Sequence, residues 1–148
     1  MLRKKFSPPP APAQPQAGHL FARDQQPLPV ATFTVAALRY HFALQLLHDG
    51  LGQLEHFVLL AQHLEVARTL GNLGCQRITQ SVVDAADRAI VEGTKAGLMS
   101  GIYAVESAPY GDIKAFLLEH DQQLQAASNA AVSVALADLN AARAPVSG

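Results

Sequence analysis

The sequence predicts an all-α protein, an antiparallel helical bundle of three or four long helices with a disordered, Pro-rich N-terminal tail. Alanine and leucine, which are strong helix formers, dominate the chain after residue 31. Proline is absent from residue 31 to residue 108, and no stretch shows the two-residue alternation of a half-buried strand. Hydrophobic residues make up 49% of the 148 residues, which is enough for a core. We therefore expect a tail over residues 1–31 and a helical domain over residues 32–144.

The predicted tail is rich in proline and basic. Residues 1–31 hold seven of the nine prolines, and proline favours extended conformations because it fixes φ and lacks an amide donor. Pro9, Pro12 and Pro15 recur every third residue, as in a docking peptide, and a semi-rigid spacer is the alternative. The tail has a net charge of +3, whereas the rest of the chain has a net charge of −4.

Turn-forming residues divide the helical domain into segments. Breaks are expected at residues 49–52, 71–74 and 109–111, each of which contains glycine. The predicted helices run from about Thr34, a candidate N-cap, to His48, then to about Leu70, from about Cys75 to Glu106, and from Asp112, a candidate cap, to Ala142. The first break has an alternative, because its two glycines can also be absorbed in one long bent helix.

Composition narrows the classes of function. Eleven Lys and Arg against twelve Asp and Glu argue against a strongly basic nucleic-acid binder. The single cysteine, Cys75, excludes an internal disulfide and a multi-thiolate metal site. No uncharged apolar run reaches the ~18 residues that cross a bilayer, and prolines follow the basic start of the chain where a signal peptide is apolar. We therefore expect a cytoplasmic protein without a transmembrane segment.

Four histidines occur as two pairs with a spacing of seven. His41 and His48 lie on the first segment, and His56 and His63 lie on the second. Both pairs are symmetric about residue 52, so a hairpin there places His41 opposite His63 and His48 opposite His56. The two levels would be about 10.5 Å apart at the rise of a helix. Paired neutral imidazoles can bind a transition metal or haem iron, and partly buried rings bonded to carbonyls or water are the alternative.

One stripe of the third segment carries only small residues. Glycine inside a helix costs about 0.5–1 kcal/mol relative to alanine, so repeated glycines predict a compensating close approach of a second helix. A break into two shorter helices near residues 93–101 is the alternative. The stripe repeats every four residues and consists of Ser81, Ala85, Ala89, Gly93, Gly97 and Gly101.

The last segment has very little charge. From Gln122 to Ala142 there are 21 residues and one ionisable side chain, Asp138. A helix on a monomer surface normally carries Lys and Glu on its outer side, so we expect this helix to pack against another chain. The predicted contact residues are Leu124, Ala127, Ala131, Ala135, Leu136 and Leu139.

Catalytic motifs do not occur in the sequence. It contains no glycine-rich nucleotide motif, no His-Glu-x-x-His and no Gly-x-Ser-x-Gly. Residues 64–90 have the outline of a helix-turn-helix, but Asp84 and Asp87 on its second helix would repel phosphates. We therefore expect neither an enzyme nor a nucleic-acid-binding domain.

Short motifs of the C-terminal half add a resemblance. Ile78-Thr79 opens a helix, Gly101-Ile102-Tyr103 follows about two dozen residues on, and Asp121-Gln122-Gln123 precedes Ala126-Ala127. Over about residues 76–135 this layout resembles the R-body "killing trait" proteins, which are small helical bacterial proteins that polymerise into coiled ribbons. The resemblance implies self-assembly and carries over no catalytic residue.

The sequence therefore predicts a non-enzymatic helical protein that associates with itself or with another helical protein through residues 81–142. One alternative is a helical-bundle metal-binding or haem-binding protein that uses His41, His48, His56 and His63. A second alternative is a small regulator whose basic tail binds an anionic partner.

Overall fold

The computed structural model describes residues 25–143, and this part of the chain is helical. Between residues 25 and 143 there is no strand, and two isolated β-bridges join Pro27 to Ser128 and Gly52 to Tyr103. The all-α class predicted from composition is confirmed, but the described residues form five helices instead of three or four. The helices are α1 (Val30–His48), α2 (Leu54–Asn72), α3 (Gln80–Ser100), α4 (Ser107–Ala126) and α5 (Asn129–Arg143).

The first four helices form an antiparallel four-helix bundle. Each helix packs against the next one along the chain, and α4 packs against α1 to close the bundle. The short connections at residues 49–53, 73–79 and 101–106 reverse the chain direction each time. The fifth helix, α5, packs against α2.

The turn between α1 and α2 is formed, so the alternative of one bent helix is wrong. Gly50 has a φ of +77°, a left-handed conformation that glycine adopts without a Cβ clash. The amide of Leu51 donates a hydrogen bond to the carbonyl of Leu46 at 2.9 Å, which ends α1. The side chain of His56 accepts a hydrogen bond from the amide of Gln53 at 2.9 Å, which caps the start of α2.

The bounds of α1 and α3 differ from the prediction. Helix α1 begins at Val30, and Thr34, the predicted N-cap, lies inside it with its hydroxyl donating to the carbonyl of Val30. Helix α3 begins at Gln80 because α4 holds the preceding residues outside the helix: the amide of Thr79 donates to the carboxylate of Glu119 at 3.0 Å. It runs without a break to Ser100, where Gly101 ends it in a left-handed conformation.

The predicted last helix is two helices, so its continuity is wrong. Helix α4 begins at Ser107, ahead of the predicted cap Asp112, and ends at Ala126. The hydroxyl oxygen of Ser128 accepts a hydrogen bond from the amide of Ala131 at 3.2 Å, which starts α5. The amide of Asn129 donates to the carbonyl of Gln26 at 2.8 Å, so the break is held by the residues that precede α1.

Part of the predicted tail belongs to the helical body. Residues 1–24 lie outside the described residues, as do residues 144–148. Within residues 25–31, Pro27 pairs with Ser128, Leu28 packs against the core, and α1 already begins at Val30. The packed part of the chain therefore begins before residue 32.

The core lies between the four bundle helices and is almost wholly apolar. Its largest fully buried apolar side chains are Tyr40, Leu44, Leu47, Phe57, Leu60, Leu64, Leu70, Ile113, Phe116 and Leu117. Among the described residues, the two fully buried polar side chains outside this group are His120 and Gln123, both on α4. Buried polar groups are costly unless they are hydrogen-bonded, so their partners are described next.

Candidate functional site

A polar network crosses the core between α1, α2 and α4, and its outer half is centred on Asp121. The hydroxyl of Tyr40 donates a hydrogen bond to one carboxylate oxygen of Asp121. The other oxygen lies 2.8 Å from Nε2 of His41, and Nζ of Lys114 lies 3.3 Å from Nδ1 of the same ring. A neutral His41 that donates to Asp121 and accepts from Lys114 satisfies both contacts. The side chains of His41 and Asp121 are 22% exposed, so this half reaches the surface.

The inner half of the network is a chain of three side chains. Nδ1 of His63 lies 3.1 Å from Nε2 of His120, and Nδ1 of His120 lies 2.9 Å from Oε1 of Gln123. The amide nitrogen of Gln123 donates to the carbonyls of Ala67 and Gln76 at 3.0 and 2.8 Å. Because Oε1 can only accept, His120 donates from Nδ1 to Gln123. When the ring of His120 is neutral, its Nε2 accepts from Nδ1 of His63.

Burial shifts the acid–base properties of this network. Removal from water and, to a smaller extent, the nearby His120 and Arg39 together lower the pKa of His63 to about 3. Burial also lowers the pKa of His120 to about 4, although its hydrogen bond to Gln123 opposes this effect. The pKa of Tyr40 is raised, mainly by burial and also by its bond to Asp121. At neutral pH the inner network is therefore uncharged, as a buried network must be to remain stable.

Aromatic contacts fix the two buried histidine rings. The ring of His63 meets the ring of Tyr40 edge-on, with 4.6 Å between the centroids. The ring of His120 stacks on Phe116, with 5.6 Å between the centroids and 11° between the planes. These contacts and the hydrogen bonds leave the rings little freedom to turn, so the network holds α1, α2 and α4 in one register.

The four histidines singled out in the sequence have four different environments. His41 and His63 lie on either side of Tyr40, and each bonds to α4. His48 stacks on Tyr110 and lies 3.2 Å from the carbonyl of Val105, whereas His56 caps its own helix. The actual partner of His63 is His120, which sequence symmetry about residue 52 does not reveal because it lies on another helix. Among residues 25–143, no group of three or more His, Cys, Asp or Glu side chains is arranged to hold a metal ion.

The small residues of α3 receive aromatic rings of the same chain. A Cβ on Gly93 would lie 2.5 Å from Cζ of Phe57, and a Cβ on Gly97 would overlap the ring of Tyr103. Ala89 is also buried, whereas Ala85 is half-buried and Ser81 is exposed. Gly101 has open space around it and serves as the C-cap. Rings from α2 and from the α3–α4 connection therefore lie against Gly93 and Gly97, where the sequence predicts the approach of a second helix.

Most of the predicted contact residues of the last segment also pack within the chain. Leu124, Ala127 and Ala135 are buried in the core, and Ala131 and Leu139 pack against it half-buried. Only Leu136 of this set is exposed. Packing on α2 thus covers one side of the charge-poor helix α5.

One group of exposed apolar side chains lies on α1 and α2. Leu38 and Phe42 are 65% and 64% exposed, although α1 buries Tyr40 and Leu44 on its other side. Next to Phe42 a shallow groove of about 440 Å³ separates the two helices, with Leu59 in its lining. The α1–α2 face is defined here by Val35, Leu38, Phe42, Leu46, Leu54 and Val58, all exposed or half-buried. The sequence does not predict this face, because its exposure depends on which sides of α1 the other helices cover.

Helix α1 is notable for its overall apolarity. Within the described residues it is the one helix that is long and apolar enough, by length and composition, to cross a membrane, a test that core helices of soluble proteins also pass. Tyr40 and His41 tie it to α4 through Asp121, and Leu44 and Leu47 lie in the core. In the bundle, one side of α1 therefore packs into the core, while its exposed side also carries apolar residues.

Comparisons of the chain with known protein families, with curated proteins and with solved structures found no match. The resemblance to the R-body proteins over residues 76–135 therefore stays a prediction. Function is argued below from the surfaces and contacts of this chain alone.

Proposed function

We propose that this protein is a non-enzymatic helical protein that associates with a second copy of itself through the α1–α2 face. The observation that carries the proposal is the exposure of large apolar side chains on adjacent helices, Leu38 and Phe42 above all. The outer side of a helix on a soluble monomer is normally polar, and contiguous exposed apolar patches mark interaction surfaces.

The energy available at this surface is of the size that weak association needs. Full burial of a Leu, Val or Phe side chain contributes roughly 1.5–3 kcal/mol, and the six side chains of the α1–α2 face are only partly covered in one copy. Covering them in both copies contributes on the order of 10 kcal/mol before costs. Lost translation and rotation cost about 4–15 kcal/mol, which leaves at most about 6 kcal/mol, so we expect a weak dimer with a Kd of roughly tens of micromolar or higher.

The buried network supports a structural role over a catalytic one. Tyr40, His120 and Gln123 are fully buried, so a substrate would reach them only if the bundle opened. Both ring nitrogens of His120 and both polar side-chain atoms of Gln123 already have protein partners. This arrangement suits a network that fixes helix register.

The position of the proposed surface differs from the one that the sequence predicts. The rings of Phe57 and Tyr103 occupy the space beside Gly93 and Gly97, and α5 packs on α2. Within residues 25–143, no helix or connection covers the α1–α2 face in this way, which favours it as the surface for a second copy.

The molar mass of the full chain in solution, measured by light scattering at low and high concentration, tests this proposal. We expect the mass to rise from 15.7 kDa towards twice that value. A Leu38→Glu variant should remain monomeric at the higher concentration. Leu98→Glu is the matched control, because Leu98 is 63% exposed on α3, outside the face.

Two outcomes would overturn the proposal. One is a mass of 15.7 kDa at both concentrations for the unaltered chain. The other is sedimentation of the protein with phosphatidylcholine and phosphatidylserine vesicles that is lost in Leu38→Glu, since the face would then meet lipid.

A further inference from the structure

Two charged side chains beside the α1–α2 face, Arg39 and Glu55, indicate how two copies are oriented in the dimer. We infer that two copies meet about a two-fold axis across the groove, so that Arg39 of each copy forms an ion pair with the other copy's Glu55. The inference rests on the proposed function and adds to it the register and orientation of the partner.

The groove between α1 and α2 carries one charge of each sign. Arg39 and Glu55 both line it, and the other lining residues are apolar apart from Gln62 and His56, whose ring accepts a hydrogen bond from the Gln53 amide. Both side chains are exposed, and neither forms an ion pair with another described side chain. In contrast, Arg68 on the far part of α2 is already paired with Glu65 and Asp87. The two groove charges are therefore available to a partner.

Arg39 and Glu55 lie at opposite ends of the groove. Tyr40 contacts His63, so residues 39 and 64 are at about the same level of the antiparallel helices. Glu55 is about nine residues from that level, which corresponds to roughly 13 Å along the bundle axis. This separation is too large for an ion pair within one chain, and Phe42 and Leu59 lie between the two ends.

We place the two-fold axis in the plane between the two faces, perpendicular to the line from Arg39 to Glu55. Rotation about this axis brings each end of the groove against the opposite end of the partner's groove. Each Arg39 then faces the glutamate of the other copy, and the two Phe42 side chains meet near the axis. In such an isologous interface each contact occurs twice, so a face with one cation and one anion is complementary to itself. Arginine also favours interfaces because its planar guanidinium forms two parallel hydrogen bonds with a carboxylate. A lipid surface with anionic headgroups would instead leave Glu55 facing like charge.

Charge reversal tests the pairing in the full chain. In Arg39→Glu or Glu55→Arg, both attractive contacts become repulsive, and we expect the dimer Kd to rise by roughly ten- to a hundredfold. The double variant Arg39→Glu/Glu55→Arg restores both pairs with their signs exchanged, so it should dimerise again. An equal mixture of the two single variants should form a heterodimer, because each introduced charge then faces an opposite one. Lys95→Glu and Glu92→Arg are the matched controls, both exposed on α3, and should leave the Kd unchanged.

The outcomes separate this inference from the proposed function. If the unaltered chain is a monomer, both fail. If it dimerises and the single variants dimerise equally well, the Arg39–Glu55 pairing is wrong while association stands. Loss of the dimer in the single variants without recovery in the double variant or the mixture also overturns the pairing. Circular dichroism of every variant at neutral pH checks that the bundle is folded, and Arg39→Gln provides a milder second variant that should weaken the dimer less than reversal.

Discussion

Acid should unfold this protein through the buried pair of His63 and His120. Their pKa values in the folded state are lowered to about 3 and about 4 from an ordinary value near 6.5. The unfolded state therefore binds protons that the folded state cannot bind, and stability falls as the pH falls below 6.5. The loss continues until the pH reaches the folded-state pKa values.

The magnitude follows from the size of these shifts. At pH 5, protonation stabilises an unfolded histidine with a pKa near 6.5 by about 2 kcal/mol, whereas a folded histidine that stays neutral gains nothing. The two rings together should therefore cost about 4 kcal/mol of stability between pH 7.5 and pH 5. This is a large part of the roughly 5–15 kcal/mol that stabilises a typical domain.

Urea unfolding at several pH values, followed by circular dichroism, measures this effect. We expect the free energy of unfolding to fall steadily from pH 7.5 to pH 5, and the slope to be about halved in His63→Gln. His48→Asn is the control, because it removes an exposed histidine that lies outside the buried network. A free energy of unfolding that is the same at both pH values, or a slope that His63→Gln leaves intact, would refute the reasoning.

Two other substitutions test the packing around the network and the α3 glycines. Gly97→Ala should destabilise the fold by about 1–3 kcal/mol, because its Cβ would overlap the ring of Tyr103, whereas Gly111→Ala, with open space around it, should be neutral or slightly stabilising. Equal melting temperatures for these two variants would contradict the account of the glycines. Tyr40→Phe should cost about 1–2 kcal/mol, because it removes the hydroxyl that donates to Asp121 inside the bundle. An unchanged urea midpoint for Tyr40→Phe would show that this bond adds nothing.

Local signals predict the helices of this fold well where the chain itself determines the ends. The turn at residues 49–52 follows from Asp49-Gly50, and Gly50 has the left-handed backbone that such a turn needs. The break before α5 is harder to predict from the sequence, because Ser128 caps that helix only in combination with residues 26–27, which reach it from more than a hundred positions away. Contacts between distant parts of the chain override helix propensity at that point.

The candidate sites show the same limit. The spacing of the histidines predicts that His63 lies opposite His41, but its hydrogen-bond partner is His120 on α4, and no local pattern specifies which helices become diagonal neighbours. The glycine line of α3 predicts the close approach of a second helix, whereas the groups that lie against Gly93 and Gly97 are the rings of Phe57 and Tyr103. The exposure of Leu38 and Phe42 could be known only after α2 and α4 were seen to cover other sides of α1.

Crosslinking through an introduced cysteine measures the meeting of two α1–α2 faces most directly. In a Cys75→Ser background, which removes the one natural cysteine, Phe42→Cys places a thiol where the two-fold axis is expected to pass. Mild oxidation should convert this variant rapidly into a disulfide-linked dimer, and Leu98→Cys, on α3, should remain a monomer. If Phe42→Cys crosslinks no faster than Leu98→Cys, the two copies do not meet at this face.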